Sequence, residues 1–177
     1  MIPTCMATAI LLIAATAAAI PPPIYDFCPV VVEVQPDALG HFTYTGDTCD
    51  GDNLVVDHDC PVWTQTHGSE DYFAIALDSG ASFTAAVSHE GDAMLMVTAE
   101  CIVYGTMFTC LAGSNTTGPG GIESVTYVND TGDAAVVYLV IDTEDTADCG
   151  GYAMVLSVHG TVPATTTSWG TIKRSYR

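Results

Sequence analysis

Five aspartates crowd one short stretch of this chain: Asp47, Asp50, Asp52, Asp57 and Asp59, with Asn53 and turn glycines between them. Calcium takes about six to eight oxygen ligands on a bendable loop, and this composition supplies them. The spacing is not that of an EF-hand, because no Glu stands at the twelfth position. A solvated acidic loop has the same composition, so the stretch supports two readings: a calcium site and an ordinary surface loop.

The histidines are His41, His58, His67, His89 and His159, and none stands in H-x-x-x-H or H-E-x-x-H spacing. Asp57-His58-Asp59 could ligate a transition metal, but an isolated surface histidine is the simpler account. Ser88-His89-Glu90 is contiguous, so a strand would send Ser88 and His89 to opposite faces and deny them triad geometry. No G-x-S-x-G elbow occurs. Carboxylate pairs suited on paper to glycoside hydrolysis exist in any chain this acidic, yet no pair stands out. An unrecognised hydrolase is therefore the last of the readings carried forward. Asn115-Thr116-Thr117 and Asn129-Asp130-Thr131 match the N-glycosylation sequon, and both also read as turn residues.

Charge restricts the partners. The 177 residues hold 21 Asp and Glu against three Lys and Arg, a formal net charge of −18. The bases are Lys173, Arg174 and Arg177, so no Lys or Arg occurs from Met1 to Ile172. A body without bases has no footprint for phosphate, which excludes nucleic acid as its partner. Its acids have no basic side chain within the body to pair with, and their mutual repulsion weakens with salt or a bound divalent cation.

Residues 1–19 read as a signal peptide. The apolar run from Ala7 to Ala19 is too short to span a bilayer, Ala17 and Ala19 form an A-x-A site, and Pro21-Pro22-Pro23 follows. Beyond it stand Cys28, Cys49, Cys60, Cys101, Cys110 and Cys149. An even number in an exported chain, with no C-x-x-C, argues for disulfides rather than zinc or a redox dithiol. About 15 pairings are open to six cysteines. The expected set is Cys49–Cys60 and Cys101–Cys110, each closing a local loop, with Cys28–Cys149 joining the ends.

The elements that must hold these residues are strands. Helical periodicity is nearly absent after residue 19. Apolar and β-branched runs recur at Val30 to Val34, His41 to Thr45, Tyr72 to Leu77, Ser82 to Ser88, Ala93 to Val97, Ile122 to Val128, Ala134 to Ile141 and Tyr152 to Val158. Turn chemistry separates them at Asp78-Ser79-Gly80, Asn129 to Gly132 and Asp148 to Gly151. Gly113 to Gly121 reads as an exposed loop. Many short strands without intervening helices predict an all-β, antiparallel sandwich braced by disulfides, spanning 20–160. A Thr-rich linker, 161–168, and a basic aromatic tail, 169–177, complete the chain. The tail could dock on an anionic envelope or on the acidic body of a neighbouring copy.

The order of motifs from His41 to Val158 resembles the bacterial pre-peptidase C-terminal domain. His41 to Cys49 is similar to that family's entry strand and turn. Ser69-Glu70-Asp71-Tyr72-Phe73-Ala74-Ile75-Ala76-Leu77 resembles its signature strand, and Gly91-Asp92-Ala93-Met94-Leu95-Met96-Val97 its central strand. Tyr138 to Asp142 and Gly151 to Val158 resemble its closing strands. The resemblance implies a jelly-roll-like β-sandwich that accompanies exported enzymes without being catalytic, with calcium binding in some relatives. The expectation is thus a secreted or cell-surface module that is not an enzyme, has a binding or structural role and is stabilised by calcium, its partner an extracellular ligand or surface. The alternative of another class is a self-assembling filament or surface-layer subunit, built by tails on acidic bodies.

Overall fold

The computed structural model describes residues 31–51, 53, 60, 67–101 and 109–160. The expected signal peptide, linker and tail lie outside these residues, as do Cys28, Asp52, Asp57, His58 and Asp59.

Among the described residues, nine strands form two sheets. They are β1 (Val31–Glu33), β2 (His41–Asp47), β3 (Asp71–Leu77), β4 (Ser82–His89), β5 (Ala93–Thr98), β6 (Cys110–Ser114), β7 (Ile122–Val128), β8 (Ala135–Thr143) and β9 (Gly151–His159). One sheet has the order β1-β3-β8-β5-β6 and the other β2-β9-β4-β7. The sandwich is antiparallel throughout except at one edge, where β1 pairs with β3 in parallel.

The two sheets differ in what their sequences bury. In β4, Phe83, Ala85 and Val87 are fully buried while Ser82, Thr84 and Ala86 are not, the alternation of a strand with one face to the core. In β5 every residue from Ala93 to Thr98 is buried, and β8 is nearly as enclosed, so the five-stranded sheet is covered on both faces. Phe73, Leu95, Leu139, Phe83, Met154 and Leu156 fill the space between the sheets, and Tyr44 meets Phe73 edge-on with ring centroids 5.1 Å apart. A second cluster, Cys60, Tyr72, Met96 and Val140, lies on the outer side of the five-stranded sheet.

Strand β6 was not expected. Leu111-Ala112-Gly113 lacks β-branched residues, and its strand conformation comes from pairing with β5 across an irregularity at Val97/Thr98. The stretch read as an exposed loop, Gly113 to Gly121, therefore begins inside a strand, and Ser114 is buried. The turn at Asp78-Ser79-Gly80 is as expected, with Gly80 at φ +78°.

The expected disulfides are overturned. Cys49 bonds Cys149, with Cα atoms 4.8 Å apart, and Cys60 bonds Cys110, at 5.0 Å. Proximity in sequence favoured Cys49–Cys60 and Cys101–Cys110, but strand order decides. Pairing of β2 with β9 puts Asp47 opposite Gly151, which carries Cys49 to Cys149. Cys149 is therefore not free for Cys28, and Cys101 is disulfide-bonded to neither Cys60 nor Cys110.

Candidate functional site

The C-terminal ends of β2, β4 and β8 meet the N-terminal ends of β3, β5, β7 and β9 at one pole of the sandwich. The strand order therefore gathers Asp47, Asp50, Asp71, Glu90, Asp92, Glu144, Asp145 and Asp148 there. The carboxyl of Asp71 is raised above its ordinary range, first by burial and then by the charges of Asp47 and Asp50, although a hydrogen bond from Tyr152 opposes the shift. Burial likewise raises Asp92, with Glu144, Asp148 and Glu123 adding repulsion.

Beneath these acids the pole is held by directed hydrogen bonds. The Tyr152 hydroxyl donates to Asp71 at 2.5 Å, and Gly46 leaves room for that ring, since a Cβ there would sit 2.5 Å from the hydroxyl. His89 is 3% exposed and stacks on Tyr152 with an interplanar angle of 13°. Its Nδ1 accepts from the Gly91 N–H at 2.8 Å, which leaves Nε2 to donate to Thr48 Oγ1 at 3.1 Å. Thr48 in turn accepts from Gly150 N–H and donates to Gly150 C=O. His89 is thus a bracket between the β2 and β9 ends, with Ser88 on the opposite face as the alternation requires.

Glu123 is 1% exposed and serves the next loop. Its carboxylate accepts from Ser114 Oγ, from the N–H groups of Thr116 and Thr117, and from both threonine hydroxyls. Burial pushes its pKa up, but the bonds from Ser114, Thr117 and Thr116 outweigh burial and leave it lowered. Asn129 is fully buried at the other pole, where its amide donates to Leu77, Asp78 and Asp133 carbonyls. That sequon is a structural plug, and its nitrogen is not presented for glycosylation.

Two of the five candidate calcium ligands are described. Asp47 is exposed at the end of β2 and accepts from Cys49 N–H at 2.9 Å, capping the 3-10 turn Thr48–Asp50 in which Asp50 sits. Asp52, Asp57 and Asp59 lie outside the described residues. Among the described residues no three His, Cys, Asp or Glu side chains are placed to hold a metal ion. At the far pole a concavity of about 390 Å³ is lined by Pro36, Asp37, Leu39 and Val158. The Asp37 carboxylate is committed there to the N–H groups of His41 and Leu39, which lower its pKa.

The largest feature that sequence reading missed is the outer face of β2-β9-β4-β7. Register fixes its rows: His41, Ser157, Thr84 and Thr126 in one, then Thr43, Val155, Ala86 and Ser124 in the next. Thr45, Ala153, Ser88 and Ile122 follow, and Asp47, at the corner beside the acidic pole, is the one acid that points outward from these strands. Val155, Ile122 and Val128 are exposed by 53%, 62% and 51%. Thr84 and Thr126 hydroxyls bond each other at 2.9 Å, and His41 Nδ1 meets Ser157 Oγ at 3.0 Å. The signal lay in the sequence as uncharged alternate positions of β4 and β7, but the neighbouring strands had to be known to see a surface.

No protein-family model matches the chain. No curated protein matches it either. Among solved structures it is similar to PliG of Aeromonas hydrophila, a periplasmic inhibitor of g-type lysozyme. The identity is 13% and the TM-score 0.47, over 73% of this chain and 96% of that one. It is also similar to the pre-peptidase C-terminal domain of the collagenase from Bacillus anthracis. Here identity is 15% and the TM-score 0.46, over 73% of this chain and 95% of that one. The second is the kind of domain that the order of motifs resembles.

Proposed function

We propose that this chain is a non-catalytic, extracytoplasmic module with a binding or structural role at or near the cell surface. One observation carries the reading. The side chains best equipped for chemistry are consumed in holding the scaffold: His89 brackets Thr48 and Gly91, Glu123 gathers the β6–β7 loop, and Asp37 turns the chain into β2. The Cys49–Cys149 and Cys60–Cys110 bonds suit an oxidising compartment. Calcium enters as a stabiliser of the Asp47–Asp59 segment, drawing on Asp47 and Asp50 together with Asp52, Asp57 and Asp59.

The test has two arms. Fractionation of producing cells is expected to find the protein with the envelope, and a broad hydrolase screen of the purified protein is expected to find no turnover. Turnover that disappears in Asp71→Asn or Glu90→Gln would replace this reading with a hydrolase. Recovery of the protein wholly in the cytoplasm would end it.

A further inference from the structure

We propose that the outer face of β2-β9-β4-β7 is a self-association surface, on which a second copy of this chain sits face to face. The argument begins with charge. Two bodies of formal charge −18 repel wherever carboxylates meet. The described loops at both poles carry acids, whereas this face is neutral from the His41 row to the Thr45 row. It is the described surface on which two copies approach with least repulsion.

Its chemistry suits burial against a like surface. Val155, Ile122 and Val128 are exposed apolar side chains that gain by leaving water. The hydroxyls of Thr84 and Thr126 already satisfy one another, as do His41 and Ser157, so covering them strands few polar groups. Four strands at about 4.8 Å spacing and seven residues at about 3.3 Å rise give a flat area of roughly 450 Å² per copy. Two such faces remove roughly 900 Å² from water, which places the contact at the weak end of specific interfaces.

The same charges choose the symmetry. A two-fold axis in the plane of the face and perpendicular to the strands lays Val155, in the central row, against its own copy. It also places the Asp47 corner over the end that carries His41 and His159. The more acidic pole is thereby set against the far pole, with its fewer acids Asp37, Asp78, Asp130 and Asp133, instead of against its own copy. An axis parallel to the strands would bring the acidic poles together. The pairing is closed, so it stops at two copies.

Salt gives the contact a signature. Screening removes repulsion between the acidic bodies while leaving the neutral contact intact, so association strengthens with ionic strength. Association of basic tails with acidic bodies would weaken instead. Sedimentation velocity of the purified protein at about 0.05 M and about 0.5 M NaCl reads this sign. The expected result is a monomer–dimer equilibrium whose dissociation constant falls about tenfold or more between the two salts. Val155→Asp sets two carboxylates against each other on the axis and is expected to leave monomer at both salts. Leu111→Asp, on β6 of the other sheet, is expected to dimerise as the parent does. Equal melting temperatures for both variants show that the fold is intact. The proposal is overturned by monomer at every salt, by association that weakens with salt, by open-ended growth, or by dimers that survive Val155→Asp. None of these results bears on whether the module is catalytic, so the two readings fail separately.

Discussion

The hydroxyl of Tyr152, on β9, donates to the carboxylate of Asp71, on β3, and so ties one sheet of the sandwich to the other at the acidic pole. The bond is made to a carboxyl that burial disfavours as an anion. Tyr152 carries a raised pKa as well, from its own burial first and then from the bond to Asp71, which holds its proton in place. The pair therefore trades a costly buried charge for a link between layers.

Tyr152→Phe removes the donor and keeps the ring. The expected loss at neutral pH is about 1–2 kcal/mol, read from urea denaturation. Asp71→Asn keeps an acceptor and removes the charge, so it is expected to equal or exceed the parent in stability at pH 7. The sign with pH follows from a folded pKa above the ordinary 3.8. The stabilising effect of protonated Asp71 is full below that value and is lost as pH rises through the raised one. The Asn variant should thus keep its advantage at pH 7 and lose it near pH 3.5. An advantage that grew on acidification would contradict this account.

Glu123 behaves in the opposite sense. Its folded pKa lies below the ordinary 4.5, so its contribution is present above that pH and is lost as pH falls through the lowered value. Glu123→Gln keeps an oxygen for the N–H groups of Thr116 and Thr117 but removes the charge and turns an NH2 toward the Ser114 and Thr116 hydroxyls, at an expected cost of about 1–2 kcal/mol near neutrality. The cost should shrink as pH falls below 4.5 and through the lowered folded value, where the parent loses its anion as well. Hydrogen exchange at Thr116 and Thr117 should quicken at the same time.

Each disulfide should matter more than its local surroundings suggest. Cys49 and Cys149 are 100 residues apart and Cys60 and Cys110 are 50, so both restrict the unfolded chain strongly. Replacing either pair by serine is expected to cost about 4–5 kcal/mol. Non-reducing peptide mapping should recover these two pairings. Recovery of Cys49–Cys60 or Cys101–Cys110 would refute the strand order that brings Cys49 to Cys149.

Calcium is expected to raise the melting temperature by several degrees beyond matched magnesium, through the Asp47–Asp59 segment. Asp47→Asn combined with Asp50→Asn should reduce that increment. Equal shifts with magnesium and calcium would reduce the effect to screening of a −18 chain.

The sandwich was legible because its strands announce themselves in different ways. Ser82–His89 alternates, while Ala93–Thr98 and Ala135–Thr143 are continuous apolar runs of a sheet enclosed on both sides. Cys110–Ser114 was not legible, since only its register with β5 makes it a strand. Val31–Glu33 could be seen as a strand, but not as the parallel member of its sheet. The disulfides were not legible for a related reason: nearness in sequence favours Cys49–Cys60 and Cys101–Cys110, while β2-β9 adjacency puts Cys49 beside Cys149 and takes Cys149 from Cys28. The site was harder still. His89 bonds Thr48, which in turn bonds Gly150, so three distant stretches of chain meet there and no local motif encodes that meeting. Asn129 wore the pattern of a glycosylation site while serving as a buried plug.

The bond between Cys49 and Cys149 also bears on how the fold withstands proteolysis. A protease of tryptic specificity finds no Lys or Arg to cut after before Lys173. One of broader taste that nicked the exposed turn at Gly118 to Gly120 would leave two fragments, one holding Cys49 and the other Cys149. They would stay covalently one molecule, and only a reductant would release them.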